Sequence, residues 1–317
     1  MPTNVITPSP HIRTSNSVGR IMLLVIVALL PATALGVYYF GLPALLLVLI
    51  SVSSAILFEA AYKMLARKPI TTSDGSAAIT GLLLALTLPP GVPLWMPAVG
   101  SFFAVVVVKQ IFGGLGHNFL NPALAGRAVL AVSFALPMSA SFFRPLSGWA
   151  SPDSITSPTP LALANDAVFS PTSNDYINAL IGNISGSVGE VSAIALLAGG
   201  VFLLVVKVIS WHIPVSFIAT VFVLSAFLHP AGFSPGHAAY QLLLGGLFLG
   251  AFFMATDYPT SPMGPAGKLV FGTGCGIITA MFRLYGGFPE GVAYAILLMN
   301  LTVPLIDRFI RPRVFGT

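Results

Sequence analysis

Charge is the scarcest property of this sequence: aspartate, glutamate, lysine and arginine together make up 7% of 317 residues, against roughly 25% in a soluble domain. So little charge excludes an ordinary solvated surface. The 14 basic residues exceed the acidic ones by five, but they are scattered among apolar runs and make no continuous basic stripe, so no nucleic-acid partner is expected. Cysteine is almost missing. With Cys275 alone, neither an intrachain disulfide nor an iron–sulfur cluster held by four thiolates of this chain is possible. The histidines, His11, His117, His212, His229 and His237, form no helix-spaced ligand pair, so neither haem nor zinc is expected.

What is present is apolar. Hydrophobic residues reach 56% and come in blocks, the composition of a polytopic membrane protein. Apolar runs at 21–40, 42–64, 76–89, 94–112, 121–137, 189–208, 213–228, 238–256, 266–282 and 289–307 predict about ten transmembrane helices, several of them short and separated by Pro or Gly. Gly81-Leu-Leu-Leu-Ala-Leu-Thr-Leu-Pro89 is echoed by Gly246-Leu-Phe-Leu-Gly-Ala-Phe-Phe-Met254, and Pro122–Arg127 by Pro262–Lys268. An odd number of spans per half would invert the repeats. The expected fold is therefore an all-α polytopic membrane protein, one integral domain over 1–317, with two inverted five-helix repeats containing short or broken helices.

The polar segment 1–20 carries Arg13 and Arg20 and is followed by an apolar run with no small-residue cleavage motif, so it is expected to be a cytoplasmic tail entering a retained first helix. With that end inside, twelve basic residues fall on inner segments and two, Arg144 and Arg283, on outer ones, a strong positive-inside bias. Both termini are then cytoplasmic, in a prokaryotic cytoplasmic or inner membrane. The long polar loop, 138–188, lies on the outer face.

Three polar clusters interrupt the apolar background. The outer loop holds Asp153-Ser-Ile-Thr156-Ser-Pro-Thr159-Pro-Leu161, whose hydroxyls are candidates for modification but are also ordinary turn residues. The second cluster is Lys109-Gln-Ile-Phe-Gly-Gly-Leu-Gly-His117-Asn118-Phe-Leu-Asn121-Pro122. It reads as a capped inter-helix turn or as a re-entrant segment lining a ligand, with Asn121 as cap and Pro122 in the first turn. Its glycines fit no dinucleotide fingerprint. The third, Asp257-Tyr-Pro-Thr-Ser-Pro262, offers Asp257 as a group for a cofactor or cation, because ionisable residues near membrane depth are functional candidates. Glu59 and Lys63 form an i, i+4 pair that reads as an anchor near the inner surface.

The runs Ile79–Pro90, Lys109–Ala123 and Ala255–Pro262 together resemble the RnfD/NqrB family of membrane subunits of ion-translocating oxidoreductases, and chain length and the brief tail favour the RnfD branch. The resemblance implies FMN joined through its phosphate to a threonine by a flavin transferase that recognises a pattern like D-x-x-[S/T]-G-A-[S/T]. The matching residues are Asp153, Thr156 and the acceptor Thr159, with Ser157 and Pro158 where the pattern prefers Gly and Ala. It further implies a complex with Rnf subunits A, B, C, E and G, passing electrons from ferredoxin to NAD while Na⁺ or H⁺ crosses the membrane. A noncovalent riboflavin, as in related NqrB proteins, would use the Asn118, Asn121 or Asp257 segments. Against this stands a cofactor-free transporter or channel, or a protein that only scaffolds redox partners; either class tolerates polar helix breaks.

Overall fold

The computed structural model describes residues 17–69, 72–143, 145, 159–164, 171–190, 192–228, 232–286 and 291–310. Fourteen helices and two short 3-10 turns, Thr72–Asp74 and Tyr258–Thr260, run through these segments, and no β-sheet forms among them. Four are long and apolar enough to cross a membrane: α1 (Val18–Phe40), α2 (Leu42–Leu65), α13 (Pro265–Tyr285) and α14 (Val292–Phe309). A fifth crossing is available if α11 (Pro235–Leu243) and α12 (Leu247–Met254), bent by 68° at their junction, count as one span.

The expectation of about ten spans in two inverted five-helix repeats is therefore corrected to four or five. The reason is length. The apolar runs between the long helices form α3 (Ser76–Leu86), α4 (Met96–Gln110), α5 (Pro122–Ser133), α9 (Ala193–Val205) and α10 (His212–Phe227), each of 10–17 residues, short of the roughly 20 a straight crossing needs. Hydropathy cannot tell such a helix from a span, but its terminators can. Helix α3 ends at Leu86, three residues before Pro89-Pro90, and α9 gives way to Lys207 at φ 60°. The supposed repeat fails on the same ground. Gly81 lies inside α3, where an added Cβ would stand 2.6 Å from the Ser51 carbonyl oxygen of α2, whereas Gly246 is the left-handed residue (φ 63°) that opens α12. Similar words thus serve a helix crossing in one half and a helix break in the other.

Short helices complete the described chain: α6 (Ala135–Ala140), α7 (Pro160–Ala164) and α8 (Ser173–Ile181). Helices α2 and α3 are tied where they cross, Ser51 Oγ donating to the Gly81 carbonyl at 2.7 Å, and Ser101 Oγ of α4 donates to the Ser51 carbonyl at 3.0 Å. One core runs from α1, α2 and α3 through α9, α12 and α14, and a satellite core of Leu161, Ala164, Ala179, Ile184, Tyr240 and Leu244 seats α7 against α8 and α11. Outward on the long helices lie Leu23, Leu49, Leu57, Leu301 and Leu305, all exposed. That is the surface of a protein whose solvent is lipid.

Candidate functional site

The second and third polar clusters meet. The Asn121 side chain caps α5, accepting from the Ala123 and Leu124 amides at 3.1 and 3.3 Å, and its own amide donates to the Met254 carbonyl at 3.1 Å. This ties the start of α5 to the end of α12. Buried Asn300 of α14 completes the knot once its amide is turned so that the nitrogen faces the Thr260 and Ile296 carbonyls (3.0 and 3.2 Å) and the oxygen faces the Asn121 N–H (3.0 Å). Thr260 Oγ1 donates to Asp257 at 3.2 Å, and the Asn118 amide donates to the Leu120 carbonyl at 3.1 Å. Lys109, Asn118, Asn121 and Asp257 line one cavity of about 90 Å³ together with Ser76 and Thr80. That volume is below the roughly 150 Å³ of a cavity that takes benzene. It has room for water or an ion.

One wall of the cavity is a buried ion network. Glu59, 1% exposed, pairs with Lys63 at 2.8 Å and with Lys109 at 3.3 Å, and accepts from the Gln110 amide at 2.8 Å. Lys109 Nζ also donates to Ser76 Oγ at 2.6 Å, whose hydroxyl and backbone N–H both donate to Asp74 Oδ1. The i, i+4 pair expected for Glu59 and Lys63 is present, but it is one edge of a larger cluster. Among the described residues no group of three or more His, Cys, Asp or Glu side chains could hold a metal ion.

Thr159 stands elsewhere. It immediately precedes α7, half-buried, with Pro160 as the first helical residue, where a missing N–H costs nothing. Leu161, the next residue of the helix, is buried against the α11–α12 junction. A pocket of about 10 Å³ beside Thr159 is lined by Ser185, Gly186, Glu190, Leu244 and Gly245. Between Gly186 and Glu190 the chain is pinned to the end of α3, the Val188 and Gly189 amides donating to the Leu88 and Leu86 carbonyls at 3.1 and 2.8 Å. The junction needs glycine twice: Gly245 and Gly246 have φ of 67° and 63°, and a Cβ would overlap Leu161 Cδ2 at the first and Glu190 Oε1 at the second. Arg283, 1% exposed in the last turn of α13, donates Nη1 to the Gln241 carbonyl (2.6 Å) and Nη2 to the Leu244 and Gly245 carbonyls (2.9 and 3.2 Å). The Leu244 and Gly245 carbonyls lie at the end of the broken helix, where intrahelical partners run out, and the Gln241 carbonyl also accepts from the Leu244 N–H at 3.4 Å. A second pocket of about 20 Å³ shares Glu190 and Gly245 with the first and extends to Arg127 and Met254. Arg127 Nε donates to the Thr87 carbonyl at 3.0 Å, so this residue is buried in the bundle and does not sit in an inner loop.

Of the residues singled out in the sequence, Asn118, Asn121 and Asp257 converge on one cavity, and Thr159 lies at the other end of α12, a helix about 12 Å long. Asp153, Thr156 and Arg144 lie outside the described residues. Sequence reasoning missed Glu190, Asn300 and the clamping role of Arg283. A polar or charged residue inside an apolar helix was the available signal for Asn300 and Arg283.

The family model described as the NQR2, RnfD, RnfE family matches residues 5–316. The chain is 46% identical over 313 residues to the D subunit of the Na(+)-translocating ferredoxin:NAD(+) oxidoreductase complex of Acetobacterium woodii, covering 98% of this chain and 95% of that one. It is 43% identical to the D subunit of the proton-translocating ferredoxin:NAD(+) oxidoreductase complex of Clostridium ljungdahlii, covering 98% and 96%. A third relative, the D subunit of the ion-translocating oxidoreductase complex of Stutzerimonas stutzeri, is 40% identical, covering 95% and 93%. By the extent of the family match and by full-length identities of this size, the chain belongs to the NQR2, RnfD, RnfE family.

Proposed function

We propose that this chain is the D subunit of an Rnf-type complex that couples electron flow from ferredoxin to NAD with transport of Na⁺ or H⁺, and that it carries FMN in phosphoester linkage on Thr159. The observation that carries this reading is the near full-length identity to the D subunits of such complexes. The surroundings of Thr159 fit the group. Its half-buried position ahead of a proline-started helix offers a fixed hydroxyl beside Ser185, Gly186 and Glu190. FMN, when attached, supplies one- or two-electron chemistry. The protein's part is to anchor and orient. A covalent tether makes occupancy independent of free flavin, and Thr159 Oγ is a mooring, not a nucleophile in turnover.

Asp257, with Asn118 and Asn121 beside it, is the best candidate for meeting a translocated cation or proton, since it brings a carboxylate and amide groups into one cavity. In this reading the chain lies in the cytoplasmic membrane, joins Rnf subunits A, B, C, E and G, and is matured by a flavin transferase. The test is in-gel flavin fluorescence of denatured protein co-expressed with the transferase. Wild type is expected to fluoresce and Thr159→Val to be dark. A dark wild type that alone conducts solute in liposomes would favour the cofactor-free transporter, and a fluorescent Thr159→Val would move the flavin to another residue.

A further inference from the structure

Arg67 and Lys207 are the non-glycine residues with positive φ among the described residues, at 52° and 60°. Both are basic, and both stand in the same motif. Beyond α2 the Arg67 amide donates to the Met64 carbonyl at 3.2 Å and the Lys68 amide to the Lys63 carbonyl at 2.9 Å. Beyond α9 the Lys207 amide donates to the Leu204 carbonyl at 3.1 Å and the Val208 amide to the Leu203 carbonyl at 2.9 Å. This is the paired bonding of a Schellman ending, whose left-handed residue is usually glycine because a Cβ there crowds the following carbonyl. The turn alone would favour glycine at both places, so the side chains serve something other than the turn.

The two endings lie on one side of the bundle. A single cavity touches Met22 near the start of α1, Ser76 at the start of α3 and Val208 just after Lys207, and a Cβ on Gly75 would stand 3.5 Å from Met22 Cβ. Arg20, Arg67, Lys68 and Lys207 are all exposed at this end, whereas every described aspartate and glutamate is buried or partly buried. No ion pair reaches Arg67 or Lys207 among the described residues. What precedes each of them is apolar and faces outward: Met64 and Leu65 before Arg67, Val205 and Val206 before Lys207. An exposed apolar turn followed by a cation is the profile of the boundary between acyl chains and headgroups. We propose that Arg67 and Lys207 are seats for the phosphates of anionic phospholipids, kept in the left-handed position because they carry charge at headgroup level, where glycine would carry none. Val208, next to Lys207, accepts at its carbonyl from the Tyr258 hydroxyl and lines the cavity that also holds Asp257, so one lipid phosphate stands beside a wall of that cavity.

The experiment follows the thermal unfolding midpoint of the full chain in a neutral detergent as phosphatidylglycerol or phosphatidylcholine is titrated in. The proteins are wild type, Arg67→Gly, Lys207→Gly, the double variant and Lys207→Arg. Without lipid, both glycine variants are expected to unfold at or above the wild-type temperature, because the turn is relieved. Phosphatidylglycerol should raise the wild-type midpoint more than phosphatidylcholine does, and the extra rise should shrink as salt is added. The phosphatidylglycerol concentration giving half of the rise should increase about fivefold for each basic residue removed. Lys207→Arg, which keeps the charge, should match wild type. An equal response of wild type to the two lipids, or an unchanged half-rise concentration in the double variant, overturns the proposal. So does a midpoint below wild type in both glycine variants without lipid, which would assign the side chains to packing. Inorganic phosphate that reproduces the rise without lipid overturns the lipid as the source of the phosphate.

Discussion

Glu59 carries more structural obligation than any other acid described in this protein. Two ammonium groups and an amide depend on it, and both lysines are buried. Removing one side of a buried ion pair leaves an uncompensated charge and costs about 3–5 kcal/mol. Glu59→Gln is therefore expected to lower the unfolding midpoint sharply, whereas a shift no larger than that of a surface substitution would mean the network does not hold in the membrane. The sequence made half of this legible. Lys63 is four residues from Glu59 and on the same helix face, but Lys109 is 50 residues away, and only the packing of α4 on α2 brings it close. A second residue-scale effect lies on the polar side of the molecule. Asp175 accepts from the Thr172 hydroxyl and N–H at 2.6 and 2.8 Å, and these bonds hold its carboxyl below the usual carboxylate range. A group whose pKa is lowered by folding stabilises the fold above its unfolded pKa and loses that contribution as pH falls through the folded value. Thr172→Val should therefore lower the unfolding midpoint at neutral pH, and the gap from wild type should close as pH is taken down through the carboxylate range. A gap independent of pH would assign the loss to packing.

Helix starts were readable because capping is local. Asn121 followed by Pro122 is a strong start signal, and α5 begins there. What was not readable is that the same side chain reaches across to Met254, 133 residues further along. Asn121→Ala removes both jobs, about 1 kcal/mol for the cap and about 1 kcal/mol for the buried hydrogen bond. The expected loss in unfolding free energy is their sum, roughly 2 kcal/mol if the two add. A loss no greater than the cap alone would mean that α5 and α12 are not tied. Helix ends explain the difference in span number: the apolar runs at 76–89 and 189–208 have the hydropathy of whole crossings, yet α3 and α9 end early, at Leu86 and Val205. Apolar character near lipid does not require a full crossing, since a short helix can bury its sides against neighbours instead.

At the scale of the whole molecule, composition alone indicated an all-helical membrane protein, and family membership covers nearly the full chain. The arrangement of sites was not legible. Thr159 rests at the Gly245–Gly246 end of α12, and the Asn121–Asp257 cavity adjoins its Met254 end, so one short helix spans the distance between the proposed flavin and the proposed ion-facing cavity. Neither periodicity nor motif spacing contains that relation, because it depends on where a bent helix pair is broken. All of it matters to function only if the flavin is where the reading puts it. The most direct measurement is mass spectrometry of the peptide from Asp153 to Asn165, taken from the complex purified from cells with an active flavin transferase. The expected result is FMN added at Thr159. An unmodified peptide, or FMN on a different residue, would contradict it.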